Sequence, residues 1–72
     1  MVNYYYNFAL VDRETMICME VRSTTDDESG CSDEYTLYVV IPEYNEEYIF
    51  KYYNEATGKF YYDAEMTEEF IP

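Results

Sequence analysis

YYYNFALVDRETMICMEVR, Tyr4 to Arg22, reads as a β-hairpin. Tyr4, Tyr6, Phe8 and Leu10 alternate at period 2 with Tyr5, Asn7, Ala9 and Val11, which predicts a strand with one strongly apolar face. DRET is polar, and Asp12 is suited to open a type I turn. In MICMEVR, Ile17, Met19 and Val21 are expected on one face, with Cys18 and Glu20 on the other.

Working outward, STTDDESGCSDE (23–34) has no apolar periodicity and holds five acids, so it is expected to be a flexible, solvated acidic loop. YTLYVVI (35–41) is β-branched and aromatic, a strong strand that Pro42 stops. PEYNEEYI predicts one short helical turn near 42–48: Pro42 suits a first helical position, and Tyr44 and Tyr48 fall on one face. KYYNEATGKFYYD (51–63) predicts a second hairpin around the five-residue loop NEATG, with Gly58 supplying a positive φ. That loop length places Tyr52, Phe60 and Tyr62 on the core face and turns Tyr53 and Tyr61 outward. The tail 64–72 either docks through Phe70 and Ile71 or frays.

The order predicts a single, mainly β domain over 1–72: a small antiparallel sheet or barrel of about five strands, two hairpins plus a central strand. The expected core is Tyr6, Phe8, Leu10, Ile17, Met19, Val21, Leu37, Val39, Ile41, Phe50, Tyr52, Phe60 and Tyr62.

Charge narrows the function. Sixteen acidic side chains face four basic ones (Arg13, Arg22, Lys51 and Lys59), for a net charge of −12. Direct nucleic-acid binding needs Lys and Arg to replace phosphate counterions, so it is excluded, and anionic membranes are excluded likewise. A partner is expected to be basic. The N-terminus has no basic n-region and the chain no apolar run of ~20 residues, so a cytoplasmic protein with reduced cysteines is expected. A Cys18–Cys31 bridge stays open under oxidation.

Catalytic chemistry finds little footing. The chain has no His, so the usual general base, the hydrolase triads and the commonest zinc ligand are absent. Two distant glycines build no phosphate-cradling loop. A non-enzymatic protein without cofactor is expected. Calcium at Asp26, Asp27, Glu28, Asp33 and Glu34 is a weaker alternative, since the loop lacks EF-hand spacing.

Surface is what remains. Eleven tyrosines are more than a small core needs, and Tyr4, Tyr5, Tyr38, Tyr44, Tyr48, Tyr53 and Tyr61 have no place in the core above. Interface centres favour Tyr, which brings rigid amphipathic area at low entropic cost. The candidate partner-binding set is Tyr38, Tyr44, Tyr48, Tyr53 and Tyr61 with Asp26, Asp27, Glu28, Asp33, Glu34, Glu46 and Glu47. The alternative is that these tyrosines pack over the second face of the sheet. Exposed edge strands also leave a homodimer open.

FALVDRETMICMEV and VVIPEYNEEYIFKYYNEATGKFYYDAEMTEEF resemble small proteins of unassigned function encoded near the tail genes of phages of Gram-positive bacteria. Val11, Asp12, Thr15, Cys18, Ile41, Tyr44, Ile49, Lys51, Tyr52, Thr57, Gly58, Lys59 and Phe60 carry the resemblance, over about two-thirds of the chain. It implies phage origin and no catalytic residue. In character the chain is also similar to small acidic phage anti-defence proteins of the anti-CRISPR type. The expected function is occlusion of a basic, nucleic-acid-handling host protein in the host cytoplasm, with carboxylates standing in for phosphates. The alternative is a structural or assembly module of the virion tail.

Overall fold

Two Asx residues build the two hairpins. Asp12 accepts the Glu14 amide on its side chain at 2.9 Å and the Met16 amide on its carbonyl at 2.6 Å. Asn54 does the same to Ala56 at 2.9 Å and Gly58 at 2.8 Å. Each turn closes on a left-handed residue, Met16 at φ 61° and Gly58 at φ 71°. Such Asx side chains mimic a backbone turn, and glycine takes the left-handed position without strain.

The computed structural model describes residues 6–72; the tyrosines at 4 and 5 lie outside the described residues. The strands are β1 (Tyr6–Asp12), β2 (Ile17–Thr24), β3 (Thr36–Ile41), β4 (Tyr52–Asn54), β5 (Lys59–Tyr61) and β6 (Glu69–Phe70). They form one open antiparallel sheet in the order β3-β1-β2-β4-β5-β6. The mainly β class expected from the sequence is what is found, as an open sheet rather than a barrel. The third strand is central in the chain but lies at an edge of the sheet. The short helical turn is a 3-10 turn at Glu46–Tyr48, with Asn45 accepting the Glu47 amide.

Two register details overturn the expected faces. First, a bulge falls between Leu10 and Val11: Leu10 sits opposite Glu20, yet Val11 sits opposite Cys18. The extra residue on β2 brings Cys18 and Val21 to one face and leaves Met19, expected in the core, 54% exposed. Second, Asn54 pairs with Lys59, so the second loop has four residues rather than five. One residue of slip flips every side chain. Tyr53 therefore lies opposite Phe60 and packs against the core, while Tyr52 and Tyr61 share the other face.

The core is Ala9, Val11, Cys18, Val21, Ile41, Tyr48, Phe60 and Phe70. Tyr48 stands edge-on to Phe60 and Phe70, with ring centroids at 4.9 and 5.1 Å. These large rings need small residues opposite them, and Ala9, Val11 and Cys18 supply that space. On β1 the face of Ala9 and Val11, not that of Tyr6 and Leu10, thus lines this cluster. Phe50 and Tyr62, also expected inside, are 70% and 53% exposed. Phe50 sits at φ 72° just after the 3-10 turn, which ends the chain's inward course there.

Phe8 is fully buried on the opposite face. Tyr38 packs edge-on to it at 6.0 Å, and Arg22, across the β1–β2 ladder from Phe8, pairs with Glu28 of the acidic loop at 3.3 Å. That loop also shields the β3 edge: the Ser32 hydroxyl accepts the Tyr38 amide, and Asp33 bonds Thr36 in both directions. Covering an edge in this way hinders strand-to-strand aggregation.

The last strand is set by Asp63. Its carboxylate accepts the amides of Thr67 and Glu68 at 3.0 Å and the Thr67 hydroxyl, holding the carboxyl below its ordinary range. A lowered native pKa stabilises the fold above the unfolded value of about 3.9, and that contribution is lost as pH falls through the native value. The melting temperature of Asp63→Ala should lie below that of the parent at pH 7, and the gap should narrow below about pH 4. A gap that does not change with pH would contradict this role.

Core placement has its own test in urea denaturation. Phe60→Ala should cost about 3–5 kcal/mol, and Phe50→Ala within about 0.5 kcal/mol of nothing. Equal costs would contradict the observed faces.

Candidate functional site

All four basic side chains make contacts to other groups of the chain at its surface. Arg13 donates from Nε to the Asp33 carbonyl at 2.6 Å and lies 3.9 Å from Glu55. Arg22 pairs with Glu28, and Lys59 with Glu69, each at 3.3 Å. Glu28 Oε1 is buried without a well-aligned hydrogen bond, so the nearby Arg22 charge is what compensates it. Lys51 donates to the Glu47 carbonyl at 2.8 Å and lies over the rings of Tyr62 and Phe70 at 5.1 and 5.0 Å. Such contacts are individually weak at a surface. Together they leave most of the sixteen carboxylates without a cation within the described residues.

The candidate tyrosines divide. Tyr48 is buried in the core, where burial, with Glu43 nearby, raises its pKa. Tyr53 is half-buried against Phe60, and burial followed by Glu55 raises its pKa. Tyr38 is half-buried over Phe8 on the opposite face. Tyr61, also half-buried, sits 3.2 Å from the Thr57 hydroxyl. Tyr44 is exposed and donates to Glu46 Oε1 at 2.9 Å, a bond that holds its proton and raises its pKa. Tyr35 and Tyr62 are also exposed and were not among the candidates. Tyr62 stands one residue after β5, where its ring packs edge-on to Phe70 at 5.6 Å and stays half exposed, and Tyr35 stands one residue before its strand.

The acidic candidates are spread over loops. Asp27 caps the Ser29 amide and Asp33 caps those of Tyr35 and Thr36, and these bonds hold both carboxyls below their ordinary range. Asp26 and Glu34 are exposed, Glu28 is paired with Arg22, and Glu46 and Glu47 lie on the 3-10 turn. Among the described residues no group of three or more acidic or cysteine side chains is gathered closely enough to hold a metal ion.

One concavity stands out on the face that carries Leu10. It is a shallow, open depression of about 400 Å³ lined by Leu10, Asp12, Glu14, Met19, Glu20, Tyr35 and Thr36. The first hairpin supplies one wall and the entry to β3 the other, because Thr36 lies opposite Asp12 and Leu10 opposite Glu20. The β2 bulge delivers Met19 to it. Sequence parity assigned Met19 to the core, so this wall was not foreseen.

Both cysteines are free, Cys18 buried and Cys31 exposed. Burial is the main cause that raises the Cys18 thiol to about 11, so it is a poor nucleophile at neutral pH. Among the described residues no helix is long and apolar enough to cross a membrane. Comparison with protein-family models, with curated proteins and with solved structures finds no match to this chain.

Alkylation followed by intact mass measurement checks the thiols. At pH 8 the folded protein should take one alkyl group quickly, at Cys31, and a second only in denaturant. Rapid double labelling of folded protein would contradict the burial of Cys18.

Proposed function

We propose that this chain is a phage-encoded, non-enzymatic binding protein that occludes a basic, nucleic-acid-handling protein of the host, as anti-defence proteins of the anti-CRISPR type do. The observation that carries this reading is that Arg13, Arg22, Lys51 and Lys59 are all engaged by acidic or carbonyl groups of the same chain, which leaves most carboxylates without a cation among the described residues. A negative surface steers a basic partner and accelerates encounter, and salt screens both effects. Exposed Tyr35, Tyr44 and Tyr62 add amphipathic contact area. The action requires no cofactor and takes place in the host cytoplasm.

A second reading, a module of the virion tail, is favoured by the β3 edge, where Val40 remains 64% exposed beyond the loop's cover. A strand of a neighbouring tail protein would add there.

The test has two arms. Immobilised protein should capture a basic nucleic-acid-binding protein from host extract at low salt and release it at about 0.5 M salt, where the Debye length is only a few ångström. Added in solution, it should displace nucleic acid from that purified partner in a mobility-shift titration. Failure to displace nucleic acid, together with stoichiometric recovery of the chain from purified virions, would overturn the inhibitor in favour of the tail module.

A further inference from the structure

We infer that the depression between the first hairpin and β3 receives an arginine side chain from the basic partner. This inference rests on the reading above and deepens it by naming the contact point.

Two features of the depression select this occupant. Its apolar part comprises Leu10, Met19 and Tyr35, with Met19 and Tyr35 54% and 72% exposed. Such surface suits the aliphatic stem of a long basic side chain, and a tyrosine ring suits a stacked guanidinium. Its charged part comprises Asp12, Glu14 and Glu20, none of which has a cation partner within the described residues. Asp12 commits one carboxylate oxygen to the Glu14 amide. Arg13, the nearest cation in sequence, is held away by the Asp33 carbonyl and Glu55.

The form of the charge decides between ligands. The three carboxylates are not drawn together into a chelating cluster. A point cation would meet at most part of the set, whereas a guanidinium has five donors spread over a planar fork. The bulge at Leu10/Val11 supplies an independent argument. It takes Met19 out of the core and sets it in the wall of the depression, and bulges commonly re-aim side chains at functional sites.

The experiment uses capped hexa-arginine and hexa-lysine peptides at low salt, with binding followed by amide chemical shifts of the full chain. Hexa-arginine should bind more tightly, with shifts centred on Leu10, Glu20 and Thr36. Glu14→Gln/Glu20→Gln should lower its affinity at least about tenfold, as expected for charge-assisted contacts. Glu65→Gln/Glu68→Gln removes the same charge elsewhere and should change it less than about twofold. Tyr35→Ala, at an exposed position, should weaken binding about fivefold through the lost stacking. Equal losses in the two double variants, shifts spread over the whole surface, equal affinity for the two peptides, or no binding would each overturn the assignment. The displacement assay above reports on occlusion separately, so a failed depression and a failed inhibitor give different results.

Discussion

Cys18 joins the two halves of this protein. Its amide donates to the Lys51 carbonyl at 2.9 Å and its carbonyl accepts the Phe50 amide at 2.7 Å, which ties β2 to the chain entering β4. Its thiol is buried in the core cluster. The ladder there is short, pairing only Ile17 with Tyr52, and the Met16 carbonyl extends it to the Tyr53 amide at 2.8 Å. On one side lie the long strands β1, β2 and β3; on the other, short strands and the rings of Tyr48, Phe60 and Phe70. A small, polarizable side chain suits this seam, because a larger one would compete with the rings for the same volume. The bulge lies next to it, so the same few residues hold the halves together and turn Met19 outward.

Much of this architecture is legible in the sequence. Asp12 and Asn54 announce the turns, Gly58 marks the left-handed position of the second, and the apolar alternation marks the strands. What local pattern cannot supply is parity. Whether Asn54 opens the loop or ends the strand changes the loop by one residue and exchanges Tyr53 with Tyr52. Whether β2 carries an extra residue decides between Met19 and Cys18. Both choices depend on which residues of the distant half must be accommodated, and that information is tertiary. The candidate surface suffered accordingly. Tyr48 and Tyr53 serve the core because the rings of Phe60 and Phe70 gather around them, while Tyr35 and Tyr62 came to the exterior unforeseen.

The charge follows from the same economy of a small domain. With four basic side chains, every intramolecular ion pair offsets a cation with a carboxylate of the same chain. Arg22 compensates the partly buried Glu28, Lys59 of β5 pairs with Glu69 of β6, Lys51 covers the rings of Tyr62 and Phe70, and Arg13 fastens the acidic loop. The fold thus spends its positive charge on its own loops and edges and presents its negative charge to others. Mutual repulsion opposes compactness at a net charge of −12, and a basic partner would relieve it.

The proposal therefore depends on the sign of the field outside the protein. Residue-by-residue paramagnetic relaxation with matched cationic and anionic nitroxides measures that field directly. Negative potential should be found at every exposed amide, deepest around Leu10, Glu20 and Thr36. A positive region around Arg13, Arg22, Lys51 or Lys59 would show that their intramolecular partners do not offset their charge, and would contradict the account.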